Sequence, residues 1–196
     1  MPARGFVCFA VAVLAGCGSP PKERFYTLSA AGVAANVTAA EARDPVVVGP
    51  VTLPEVVDRP QLVVRVGANE VAILEQHRWA EPLKSEIPRL IARTLSQLLG
   101  TSRVSAYPES TSQEAHLRVA VDILRFEAAP GIEVSVEALW SVRRLPDGKP
   151  ITGRSVVREP IAGEGYDAVV AAYGRALATL SRDIAQAVRT VGSMAH

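Results

Sequence analysis

Cysteine is nearly missing from this 196-residue chain: there are two, Cys8 and Cys17, both within the first 17 residues. Everything after residue 17 is therefore built without a disulfide or a thiolate metal ligand, and it stands on its hydrophobic core. Histidine is scarce too. His77, His116 and His196 are far apart, and no pair has the spacing that places two imidazoles on one helix face around a zinc ion. No G-x-S-x-G elbow, phosphate-cradling P-loop or dinucleotide glycine pattern occurs. Charge of one sign is also lacking, with 21 basic against 20 acidic residues. That balance argues against a nucleic-acid binder, which needs a basic face to displace counterions. Finally, the longest apolar run falls short of the ~20 residues that span a bilayer.

What is present begins at the N-terminus. Arg4 gives a positive flank, Phe6 to Leu14 an apolar stretch, and small residues lead into a single cysteine in Leu14-Ala15-Gly16-Cys17. This is the layout of a secretory signal peptide, and its ending resembles the bacterial lipobox. The expectation is a signal peptide over 1–16 and covalent acyl lipid, of the diacylglycerol and palmitate kind, on Cys17. No other cofactor is expected. Two or three chains, at about 0.8 kcal/mol per buried methylene, hold a protein firmly on its membrane. Gly18 stands where Asp would signal retention at the inner membrane, so the expected location is the outer membrane, facing the periplasm. Residues 17–23 form a Pro-containing tether that reaches about 20 Å when extended.

Residues 24–196 read as one α+β domain. Arg24 to Ser29 is a first strand, and Ala30 to Asp44 an Ala-rich loop. Pro45 to Leu53 is a β-branched strand broken at Gly49-Pro50. Gln61–Val66 and Glu70–Glu75 flank Gly67-Ala68-Asn69 as a hairpin. Leu83, Ile87, Leu90, Ile91, Leu95 and Leu98 recur at helical spacing, predicting a helix over 83–99. Gly100 stops it, and Ser85 serves as N-cap, placing Pro88 in the first turn. Arg103–Ala106 is a short strand. Alternation over Leu117–Ile123 and Ile132–Val142, with turns at Ala129-Pro130-Gly131 and Pro146-Asp147-Gly148-Lys149, then a strand over Thr152–Ile161, predicts an antiparallel meander. A long amphipathic helix over about 165–190 closes the chain. Together these make a mixed, mostly antiparallel sheet packed by two main helices.

Three signatures occur in order: Val48-Gly49-Pro50-Val51-Thr52-Leu53-Pro54, Asp58-Arg59-Pro60-Gln61-Leu62-Val63 and Arg78-Trp79-Ala80-Glu81-Pro82-Leu83. The Arg24-Phe25-Tyr26-Thr27-Leu28 strand precedes them, just after the lipobox. With these motifs the chain resembles the ABC-type transport auxiliary lipoproteins, the PqiC/YmbA-like family. The resemblance implies a non-enzymatic subunit of an intermembrane lipid transport system that supports envelope integrity. The implied partner is an MCE-domain protein anchored in the inner membrane. Because such partners form hollow rings, a homo-oligomeric ring of the lipoprotein is compatible. No catalytic residues carry over. Asp58, Arg59 and Trp79 are the candidate partner contacts, although the first two also read as a plain turn and Trp79 as a core anchor. Two other functions stay open. One is a lipid carrier with an apolar cavity. The other is a tethered hydrolase using His77, His116, Glu133 and Glu137, although the two glutamates read more simply as a solvated strand face.

Overall fold

The computed structural model describes residues 22–29, 44–108 and 115–193. Cys17 and most of the tether, residues 30–43 of the expected loop, and His196 lie outside them. The strands are β1 (Arg24–Tyr26), β2 (Val46–Thr52), β3 (Gln61–Arg65), β4 (Val71–Trp79), β5 (Val104–Ala106), β6 (Leu117–Ala129), β7 (Glu133–Arg144) and β8 (Ile151–Pro160). The helices are α1 (Leu83–Leu99) and α2 (Gly165–Ser193).

The strands form two sheets rather than one. Five lie in the order β5-β2-β6-β7-β8 and three in the order β1-β4-β3. The long β6-β7-β8 meander and the β3-β4 hairpin are antiparallel, whereas β1-β4, β2-β5 and β2-β6 are parallel. Both helices lie on one face of the larger sheet, α1 over β2 and β5 and α2 over β6, β7 and β8, and they pack against each other. The small sheet meets the second half of β6 through β3. One core joins all these elements.

Side-chain alternation explains the meander. Leu117, Val119, Val121 and Ile123 point inward from β6, and Val134, Val136, Ala138 and Val142 do so from β7. A bulge between Ile123 and Arg125 shifts the inward set to Phe126 and Ala128. β6 therefore runs six residues past the point where simple alternation ends. The expected irregularity at Gly49-Pro50 is present as a register shift between Val48 and Val51. β4 extends past Glu75 because its last residues find a second partner: Arg24, Phe25 and Tyr26 pair with His77, Arg78 and Trp79.

The start of α1 differs from expectation. Pro82, not Ser85, is the N-cap, and no side chain caps the helix. Its carbonyl accepts the amides of Ser85 (2.9 Å) and Glu86 (3.0 Å). Pro88 thus falls inside the helix, one turn later than the first-turn position that suits it. The Gly100 stop is as expected, with φ of 65° and its amide on the Ser96 carbonyl.

Candidate functional site

The candidate partner contacts do not act as one cluster. Asp58 and Arg59 lie on the turn between β2 and β3, where the Pro54 carbonyl accepts the amides of Val57 and Asp58. Asp58 pairs with Lys84 at 2.6 Å, on the first turn of α1, and not with its neighbour Arg59. Arg59 is half-buried, and its Nε is buried without a partner. The backbone amide of Trp79 donates to the Pro60 carbonyl at 2.7 Å and ties this turn to the end of β4. The Trp79 side chain is only 6 % exposed. It packs in an aromatic cluster whose centre is Phe126 stacked on Tyr173, ring centroids 4.0 Å apart. Trp79 is therefore a core anchor of the turn, and the surface offered there includes Asp58, Arg59 and Lys84 together with the exposed Val56.

Two residues that periodicity alone did not single out hold the N-terminal segment. Glu86 is buried in α1, and its Oε1 accepts the Leu28 amide at 2.6 Å. Burial pushes its carboxyl above the usual carboxylate range, with the Leu28 amide and Arg93 acting the other way. Leu28 itself is buried between the elements of the core. One residue later the Ser29 carbonyl lies against Gly174 of α2, so close that a Cβ there would stand 2.1 Å from the oxygen. β1 and the residues after it are thus clamped three ways, by β4, by Glu86 and by Gly174. A glycine inside an otherwise well-patterned helix was the available sign of such a close approach.

Beside β1 the ring of His77 sits between Tyr26 and Tyr166, and the Tyr26 hydroxyl and His77 Nδ1 are 2.7 Å apart. Burial, and secondarily the positive charge of Arg24, lower the His77 pKa. His116 is elsewhere, 3.2 Å from Asp44. Asp44 is held below the usual carboxylate range chiefly by its hydrogen bond from Arg144. Glu133 faces Arg158, and Glu137 is held between Arg125 and Arg154. These residues are dispersed in local pairs and do not form a nucleophile and base in mutual reach. Among the described residues no group of three His, Cys, Asp or Glu could hold a metal ion.

The core encloses a void of about 10 Å³ beside Trp79, Phe126 and Tyr173, barely a water's worth of space. That void has no room for an acyl chain. Among the described residues no helix is long and apolar enough to cross a membrane.

The geometry defines an α+β domain secured to the segment that leads back towards the N-terminus. The match to the model of the ABC-type transport auxiliary lipoprotein component runs over residues 26–185, from the end of β1 into the last turns of α2. The chain belongs to that family, whose members are membrane-anchored lipoproteins of the cell envelope. Solved structures agree on the fold. A DUF330-family protein of Xanthomonas campestris is 17 % identical, with a TM-score of 0.70 covering 87 % of this chain and 97 % of that one. An uncharacterised protein is 20 % identical, with a TM-score of 0.67 over 85 % and 98 % of the two chains. The PelC dodecamer of Paraburkholderia phytofirmans is more distant, at 15 % identity and a TM-score of 0.41 over 72 % and 87 %. No curated protein matches.

Proposed function

We propose that this chain is a non-catalytic auxiliary subunit of an MCE-type intermembrane lipid transport system. In this reading acyl lipid on Cys17 anchors it to the outer membrane, and the domain faces the periplasm. It docks an MCE-domain protein that reaches across from the inner membrane, through the turn bearing Asp58 and Arg59. A ring of copies would match a hollow partner. The family match over 26–185 carries the reading. The clamp on β1 supports it, because a docking subunit held by its N-terminus needs a tether that joins the rigid core without slack.

The test is affinity capture of the tagged, full-length protein from its native membranes, with protein and lipid identified together. Recovery of an MCE-domain protein is the expected result. Recovery of lipid with no such partner would overturn the adaptor role and favour a carrier.

A further inference from the structure

We infer that the helix-free face of the five-stranded sheet binds an anionic amphiphile, its phosphate-type head on Arg118 and Arg143 and its apolar part along the strands. Arg118 of β6 and Arg143 of β7 are direct partners across the antiparallel ladder. Their inward neighbours Leu117, Val119 and Val142 are buried in the core, so both arginines project from the opposite face. Like charges directly opposite each other, with Cβ atoms about 5 Å apart, oppose pairing of the strands. Around them, Arg125, Arg144, Arg154 and Arg158 each face a carboxylate. Among the described residues no carboxylate pairs with Arg118 or Arg143, and Arg118 Nε is buried with no partner at all. Two adjacent guanidinium forks lacking an anion suit the oxygens of a phosphate or carboxylate.

A trough of about 660 Å³ lies next along the same face, with Thr52, Ala120, Asp122, Leu139, Ser141 and Thr152 among its lining residues. Its hydroxyls suit the polar shoulder of an amphiphile. Beyond it come apolar side chains that the fold leaves in solvent: Leu139 is 43 % exposed, Leu124 46 % and Val156 59 %. From Arg118 to Leu124 the strand runs about 20 Å, comparable to a stretched acyl chain. Of the acids on this path, Glu137 is balanced by Arg125 and Arg154, whereas Asp122 lines the trough, accepts only the Thr52 hydroxyl among the described residues and keeps its charge. The site is thus open and lies along a strand face, unlike the enclosed cavity of a carrier.

This inference deepens the transport role proposed above and rests on it for the source of the ligand. Its test uses the full-length protein without any partner, so that failure here and failure of the partner capture are separate results. Native mass spectrometry of the protein released from maltoside micelles would follow binding of dioctanoyl phosphatidylglycerol, dioctanoyl phosphatidylcholine and inorganic phosphate. Phosphatidylglycerol is expected to bind at least about tenfold more tightly than either comparison. Arg118→Gln and Arg143→Gln are each expected to remove most of that preference with the melting midpoint unchanged or raised, because the opposed like charges are relieved, and Arg143→Lys to retain part of it. Leu139→Ser is expected to weaken the lipid but not phosphate. Equal binding of phosphatidylcholine, indifference to both arginine changes, or no lipid adduct would overturn the inference. Inorganic phosphate binding as tightly as phosphatidylglycerol would assign the arginines to a free anion and overturn it as well.

Discussion

Gly174→Ala sets two physical effects against each other, and the structure says which wins. On helix propensity alone, alanine in a helix interior stabilises by about 1 kcal/mol relative to glycine. Here the new Cβ would stand 2.1 Å from the Ser29 carbonyl oxygen, a backbone atom that cannot rotate away. Reaching ordinary van der Waals separation requires a shift of more than 1 Å in the segment around Ser29 or in α2. Overpacking of this kind costs about 1–3 kcal/mol. If the segment after β1 lifts instead, the loss includes the burial of Leu28, about 1.5–3 kcal/mol, and its amide bond to Glu86, a further ~0.5–1.5 kcal/mol. The variant should therefore be less stable by about 1–3 kcal/mol, a fall of roughly 2–4 °C in melting midpoint per kcal/mol for a chain of this size. Gly192→Ala is the control in the same helix, because a Cβ there meets nothing within 4 Å. It should be neutral or slightly stabilising. Thermal and urea unfolding of the full-length protein in maltoside would measure both. A Gly174→Ala protein as stable as the parent would refute the clamp.

Three other outcomes follow from named contacts. Gly153→Ala would place a Cβ 2.2 Å from the Trp140 ring, so it should cost about 1–3 kcal/mol and break the Trp140 indole bond to Ser155, read as a shift in tryptophan emission. Glu86 has its pKa raised in the folded state, so its contribution is greatest below the ordinary carboxylate range and is lost as pH rises through the raised value. Glu86→Gln should flatten that part of the stability profile in denaturant titrations across acidic and neutral pH. Asp58→Asn removes an ion pair with exposed Lys84 and should change stability by no more than about 1 kcal/mol, while Arg59→Ala should reduce recovery of the MCE-domain partner in affinity capture without lowering the melting midpoint.

Much of the fold is legible because its periodicities are strong. Leu83 to Leu98 repeat at helical spacing and Ile132 to Val142 alternate cleanly, and both end up as the elements their patterns imply. Alternation stops being informative at Leu124, where one extra residue in the β6 bulge reverses which parity faces inward. The division into two sheets is equally hidden, since β1 chooses a parallel partner some fifty residues away in β4. Pro88 misleads for a local reason: its ring is cheapest in a first turn, which drew the expected cap to Ser85, whereas the real first turn forms on the Pro82 carbonyl. Trp79 stands in the third signature, one after that of Asp58 and Arg59, but points into the core, because it closes the aromatic cluster with Phe126 and Tyr173. Glu86 reads as one more polar residue between apolar ones. Its role depends on Leu28, brought in from 58 residues earlier. The opposed Arg118 and Arg143 emerge only once the register of β6 and β7 is known.

The most direct measurement of the docking claim is site-specific photo-crosslinking in living cells. A photoreactive residue would replace Arg59 on the β2–β3 turn and, in a second strain, the exposed Gln186 on α2. The account predicts a crosslink to an MCE-domain protein from position 59 and none from position 186. Crosslinks to that protein from 186 alone, or from neither position, would contradict it.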